Sequence, residues 1–360
     1  LATVSNSLEC TIYLSSEGEV YSSGRNYHIP QQVIFTPKKI PNLCSIVSIA
    51  CGTHHTMCLD SSGKVFGFGV NKYGAMGTGR LTNVYHEPER VKITPIQQIS
   101  CGPTFTICLS IFGELYSFGL NDHNQLGLPY VQLSYPSKIP SLKDVEFVEC
   151  GSVSCFCKTK SNEIYAWGDN HCGQMGTGID NIKTPHKCNW DLDVIDIRTA
   201  GDHTLILTSN LEVYGCGNQR FGQLGFTTDR LVLSPRKIEG LSNIIRIECG
   251  AYNSACIDND GNLFTFGYNR NGHLGLGDTE SRYTPTKNPF LSNIVDISHL
   301  MGTSLVKTSD NEIYAFGGNN YSQFGITIES EDQLTPIRVL EGNEDIWCTN
   351  ITRLPKAKSA

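Results

Sequence analysis

Apolar and polar residues alternate along this chain in short runs, and the runs recur. Lys64-Val65-Phe66-Gly67-Phe68-Gly69 places apolar side chains at every second position, the period of a β-strand. Two runs precede it: Ile46-Val47-Ser48-Ile49-Ala50-Cys51-Gly52, which ends in Cys-Gly, and His55-Thr56-Met57-Cys58-Leu59. Asp60-Ser61-Ser62-Gly63 joins the second run to the third with residues that make hairpin turns. A Gly-rich loop follows, Asn71-Lys72-Tyr73-Gly74-Ala75-Met76-Gly77, and then a fourth strand expected to open with proline, Pro88-Glu89-Arg90-Val91. No stretch sustains the 3.6-residue period of an amphipathic helix.

The same order of parts returns along the chain. Gly24, Gly69, Gly119, Gly168, Gly217, Gly267 and Gly317 end the third run of successive units, at spacings of 45, 50, 49, 49, 50 and 50 residues. Periods of about 50 belong to propellers and solenoids. Four strands in each of seven units predict an all-β fold, a seven-bladed β-propeller of four-stranded antiparallel blades. One propeller domain over 1–360 divides into units 1–40, 41–91, 92–139, 140–188, 189–238, 239–288 and 289–341, with a closing tail at 342–360. The prolines Pro37, Pro88, Pro136, Pro185, Pro235, Pro285 and Pro336 place the fourth strand on the outer edge of each blade, because proline cannot donate to a ladder.

The recurring pattern is Cys-Gly, His-Thr, Gly-x-Val-Tyr, Gly-x-Asn-x-x-Gly-Gln-Leu-Gly and Thr-Pro. It resembles the regulator-of-chromosome-condensation repeat over about Leu8 to Val339. Gly222-Gln223-Leu224-Gly225 carries the loop motif intact, and Gly173-Gln174-Met175-Gly176, Gly272-His273-Leu274-Gly275 and Ser322-Gln323-Phe324-Gly325 are variants. The first unit has lost the loop, reading Asn26-Tyr27-His28-Ile29-Pro30. The resemblance implies two functions: docking of other proteins, and guanine-nucleotide exchange on a Ran-like small GTPase. The founding member of the family uses an inserted β-hairpin wedge and a basic tail. The periods of 49 and 50 leave no room for such a wedge, and Leu1 to Glu9 contains no Lys or Arg. The leading expectation is therefore a non-catalytic interaction module of a larger regulatory or scaffold protein, with exchange-factor activity as the alternative. A photoreceptor of the same family needs clustered tryptophans, and Trp167, Trp190 and Trp347 fall in different units.

Composition narrows the partners. A net charge of −7 argues against a phosphate-gripping nucleic-acid binder, so the expected partner is another protein, with a small GTPase as one candidate. No apolar run is long enough to span a bilayer. The 15 cysteines form no C-x-x-C pair, and eight of them recur in phase: Cys51, Cys101, Cys150 and Cys249, then Cys58, Cys108, Cys157 and Cys256. They read as small buried apolar residues in a reducing compartment, the cytoplasm or the nucleus. The chain opens on Leu rather than Met, as expected of a piece of something larger.

No cofactor, no metal and no catalytic residue is expected. The Gly-rich loops lack a following Gly-Lys-Ser/Thr, and His55-Thr56 and His203-Thr204 occupy a repeat slot that suits bonding between neighbouring blades. A basic residue stands two positions after every blade proline: Lys39, Arg90, Lys138, Lys187, Lys237, Lys287 and Arg338. Glu19, Glu114, Glu163, Glu212 and Glu312 follow the hairpin turns of five units. The first series is expected to guard outer edges, the second to make one face acidic. Apolar residues at turns and loops are the candidate contacts. Phe112, Tyr130 and Leu133 in the third unit form one expected cluster, and Leu231 and Leu233 in the fifth form another.

Glu344-Asp345-Ile346-Trp347-Cys348-Thr349 stands in first-strand phase, as does Leu1-Ala2-Thr3-Val4, so the two chain ends are expected to meet in one blade. Deleting residues from 345 onward should then lower the melting temperature by several degrees, and an unchanged melt would sink the closure.

Overall fold

A computed structural model describes residues 4–6, 10–25, 33–81, 83–227, 230–300, 302–320, 322, 324, 326 and 332–339. Its 28 strands form seven four-stranded antiparallel sheets, each built from consecutive strands in simple up-and-down order. Blade 5 shows the plan: Val194–Thr199, His203–Thr208, Val213–Asn218 and Leu231–Lys237. First strands of neighbouring blades pack against one another, so they ring the axis. Val4–Asn6 fills that position in blade 1, beside the first strands of blades 2 and 7. The tail at 344–349 lies outside the described residues.

Burial follows the radial position of each strand. The second strand of blade 5, His203–Thr208, is buried along its whole length because both faces meet other blades. Its fourth strand is mostly open to solvent. The fourth strands begin earlier than expected. Pro235 is the fifth residue of Leu231–Lys237, inside the strand rather than at its start. The third–fourth pairing shifts register between Gly215 and Gly217, where the partners jump from Arg236 to Val232. Pro235 sits in that irregular stretch on an outer edge, where its missing N–H leaves no partner unsatisfied.

The Gly-rich loops lock blade to blade. In the loops of blades 2 to 7 an Asn or Gln closes the turn from within: Asn170 Oδ1 accepts the Met175 amide at 2.7 Å, and its Nδ2 donates to Ile179 O at 2.6 Å. The loop then lies on the next blade. A Cβ on Gly222, at φ +90°, would stand 2.3 Å from Arg282 O, and one on Gly74 would stand 2.7 Å from Leu133 O. Only glycine allows that approach together with a left-handed backbone.

The repeat-slot histidines bridge blades as expected. His55 Nε2 lies 3.0 Å from Thr106 Oγ1, which donates to Ala75 O at 2.7 Å. His203 Nε2 lies 2.9 Å from Ser254 Oγ, which donates to Gln223 O at 2.7 Å. Burial lowers His55 and His203 to about 4 and His299 to about 3, so all three are neutral at pH 7.

Around the axis the first strands of blades 4 to 7 carry charges. Arg198 Nη1 lies 3.5 Å from Glu149 and its Nε 3.3 Å from Asp196; Arg246 Nη2 lies 2.7 Å from Asp296. Burial pushes Glu149 up to about 8 against the pull of Arg198, and Glu248 up to about 7. Blade 3 is neutral there. Gln98 Oε1 accepts the Val148 amide at 3.1 Å, and Ser100 Oγ accepts the Cys150 amide at 3.0 Å.

These two sets of groups act on stability with opposite signs. A buried neutral histidine contributes stability that is present above its unfolded value of 6.5 and lost as pH falls through about 4. A buried glutamic acid contributes stability that is present below 4.5 and lost as pH rises through about 8. Melting curves from pH 4 to 9 should separate them. His203→Gln should flatten the fall between pH 6.5 and 4. Glu149→Gln should gain on the parent between pH 4.5 and 8. Parallel curves for parent and variants would refute both assignments.

Candidate partner-binding surfaces

The ends of the blades define two faces. Connections between first and second strands and between third and fourth strands share one end, here the loop face. The hairpin turns between second and third strands share the other, the turn face, with the connections between blades.

The predicted contact residues divide between these faces. Phe112 is 64% exposed in the hairpin turn between Phe105–Ser110 and Leu115–Leu120, on the turn face. Tyr130 is exposed at the opposite end, just before the fourth strand Gln132–Lys138. The third strand, roughly 20 Å long at ~3.3 Å per residue, separates them, so the expected cluster does not form. Leu133 is a further correction. It is 7% exposed, pairs opposite Gly119 and packs in the core, and Gly74 of the preceding loop lies against its backbone. The alternation inside the fourth strand turns Leu133 inward. Leu231 and Leu233 are both exposed and flank buried Val232. Leu81, Val131 and Ile179 are exposed in the equivalent connections of blades 2, 3 and 4, so apolar side chains recur along the loop face over four consecutive blades.

The expected acidic face is also corrected, because the two charge series meet. Lys138 Nζ lies 2.6 Å from Glu114 Oε1, Lys187 2.6 Å from Glu163 and Lys237 2.6 Å from Glu212. Arg338 lies 3.4 Å from Glu312, and Lys39 pairs with Glu19. A tyrosine completes each set: Tyr116 donates to Glu114 at 2.9 Å and Tyr314 to Glu312 at 2.9 Å, and Tyr21, Tyr165 and Tyr214 do the same in their blades. The lysine's hydrogen bond holds the carboxyls of Glu114, Glu163 and Glu212 below the usual range. These carboxylates are neutralised within their own blades, so they do not make the turn face a free acidic surface.

Where blade 5 meets blade 6, the loop face carries a patch that sequence reasoning missed. Phe221 packs edge-on against Tyr252 at 5.6 Å and Tyr268 at 5.2 Å, and Tyr268 lies 5.7 Å from His273. The Arg220 guanidinium sits 5.4 Å from the Phe221 ring. Exposed Arg270 occupies the slot equivalent to Arg220 in the next blade. Slot-by-slot comparison of the units carries the signal: Tyr252 stands where other units have His54, Thr104, Val153, Asp202 or Gly302.

The inter-blade histidines are spent on hydroxyl partners, and among the described residues no three His, Cys, Asp or Glu side chains gather as a metal site. The 14 cysteines described are free thiols, most of them buried. No helix of the described chain is long and apolar enough to cross a membrane.

The fold and its repeats have clear relatives. The human protein RCC2 is 35% identical over 88 residues, which span 22% of this chain and only 17% of that protein. The regulator of chromosome condensation of Xenopus laevis is 32% identical over 94 residues, 24% of this chain and 22% of its own. Among solved structures, human WBSCR16 superposes with a TM-score of 0.77 at 25% identity over 86% of each chain. Prp20p of Saccharomyces cerevisiae, whose structure was described together with its binding to Gsp1p and histones, superposes at 0.75 with 20% identity over 82% of this chain and 79% of its own. The sequence model of the regulator of chromosome condensation (RCC1) repeat matches residues 17–59, 62–109, 113–157, 212–257 and 260–299, more than half of the chain, which therefore belongs to the RCC1 repeat family.

Proposed function

We propose that this propeller is a non-catalytic docking module, a regulatory or scaffold part of a larger protein, and that it binds its partner through the loop face. The observation that carries this reading is the run of exposed apolar residues at the loop face of blades 2 to 5: Leu81, Tyr130, Val131 and Ile179 in the third-to-fourth connections of blades 2 to 4, and Leu231 and Leu233 at the start of the fourth strand of blade 5. Loops held by a rigid scaffold are where recognition residues concentrate, and exposed apolar groups grouped on one face mark contact surfaces. A typical interface takes about 800 Å² from each partner, which needs loops from several adjacent blades. The thiol-rich composition fits a reducing compartment, the cytoplasm or the nucleus.

The second reading, exchange on a Ran-like GTPase, is supported by the likeness to Prp20p, which binds Gsp1p. Against it, all 28 described strands belong to the blades, which leaves no separate hairpin among the described residues to act as a wedge.

Two measurements separate the readings. An exchange factor must favour the nucleotide-free GTPase, since only differential binding shifts an equilibrium. Release of labelled GDP from a Ran-like GTPase should show no acceleration by this chain, and clear acceleration would replace docking with exchange. A partner captured by the full chain should lose about 1–3 kcal/mol of binding on Tyr130→Ala or Leu231→Ala, as for a modest hot spot. Phe112→Ala, at the opposite end of the blade, should leave binding unchanged. The reverse result would move the site to the turn face.

A further inference from the structure

We propose that the aromatic and arginine patch between blades 5 and 6 receives an acidic, aromatic-containing segment of a partner protein. The inference rests on the docking reading and names the chemistry of one partner segment. Phe221, Tyr252 and Tyr268 form a triangle of rings, with the Tyr252–Tyr268 centroids 6.2 Å apart, and Tyr252 remains 48% exposed. Exposed Tyr283 extends the surface outward and donates to Arg220 O at 3.4 Å. Gly222 lies against the backbone of Arg282 and Tyr283, so the platform is assembled before any partner arrives. A preassembled surface saves ordering cost on binding.

The polar groups of this patch have one character. Arg220 and Arg270 are exposed and form no ion pair among the described residues. The Tyr252 and Tyr268 hydroxyls have no protein partner among the described residues. Arginine can only donate, and a phenol can donate to a carboxylate. Three nearby carboxylates already have protein partners. Asp202 takes the Cys172 thiol, Asp278 pairs with Arg282 at 2.5 Å, and Asp332 accepts from Asn271 at 2.9 Å. A fitting ligand therefore brings acceptors to the arginines and an apolar group to the rings. Carboxylates alternating with aromatic side chains supply both. Nucleic acid also offers acceptors and flat rings, but a chain of net charge −7 repels a polyanion over its whole length.

The test uses the full chain and defined probes. A fluorescent peptide of alternating Glu and Phe is compared with the same peptide carrying Gln for Glu, with a Lys version, and with a short oligo-dT strand. The acidic peptide should bind with an affinity that falls as salt rises. The Gln peptide, and the double variant Arg220→Glu/Arg270→Glu, should each weaken binding about 10-fold or more. Both arginines are exposed, so the variant should melt with the parent; if it does not, Arg220→Gln/Arg270→Gln replaces it. Equal binding of the Glu and Gln peptides, no binding of the acidic peptide, indifference to the arginine changes, or tighter binding of oligo-dT would each overturn the proposal. If Tyr130→Ala and Leu231→Ala still cut partner binding while the acidic peptide ignores the arginines, the docking module stands and this site falls.

Discussion

A four-stranded sheet has two faces, and neither can be covered by the blade itself. Stability therefore depends on how closely each blade approaches the next. In this chain the approach is governed by glycines in the third-to-fourth loops. Gly74, Gly222 and Gly272 lie so near the fourth strand of the following blade that a methyl group would fall within 2.3–2.8 Å of backbone. Each loop is first closed by its own Asn or Gln, then laid across the neighbour, so a loop-face surface always includes parts of two blades. The Phe221–Tyr252–Tyr268 patch is one product of that geometry. Phe221 comes from the blade 5 loop, and the two tyrosines come from blade 6.

The same junctions account for the buried histidines. His55 and His203 each bridge to a hydroxyl of the next blade, and that hydroxyl returns to a carbonyl of the first blade's loop, as in His55, Thr106 and Ala75. In that chain the imidazole Nε2–H donates to the hydroxyl, whose own proton goes to the carbonyl, and burial keeps the ring neutral. Around the axis the strands are crowded too, but contacts between arginines and carboxyl groups replace hydroxyl bridges on one side. Arg198 and Glu149 join blades 4 and 5, and Arg246 and Asp296 join blades 6 and 7. The buried glutamic acids of the axis and the mid-blade histidines thus respond to acid with opposite signs while serving the same contact.

The fold was legible because the period, the turn residues and the edge prolines are properties of sequence spacing. The site was legible only in fragments. Phe112 and Tyr130 lie 18 positions apart in one unit, and nothing in that spacing says that a full strand stands between them. Leu133 was misplaced for a related reason: the fourth strand starts at Gln132, so period-2 alternation buries Leu133 where a loop residue would be exposed. The basic and acidic series looked like two surfaces because they are about 25 residues apart. Antiparallel pairing of third and fourth strands sets Tyr116 opposite Lys138, and this brings Glu114 within 2.6 Å of the lysine.

The two blades that lack that glutamate show why it is there. Where Glu19, Glu114, Glu163 and Glu312 follow the turn, the turn opens with Ser15, Ser110, Thr159 and Thr308, whose hydroxyls accept the glutamate amides at 3.0–3.2 Å. In blades 2 and 6 the turn opens with Asp60 and Asp258, which accept the amides of Lys64 and Asn262 at 2.8 Å. A carboxylate already occupies the hairpin, so a second one four residues on would meet like charge. Lys64 and Asn262 stand in the glutamate slot instead. The tyrosine that would donate to the glutamate becomes Phe66 in one blade and Phe264 in the other. Three positions change together, twice, in a single chain. Such coupling follows if each hairpin holds one carboxylate in either of two places, with the cap, the slot and the aromatic ring fitted to whichever place it takes. The outer basic residue is present in all seven blades, including the two without its glutamate, so its place on the edge does not depend on the ion pair.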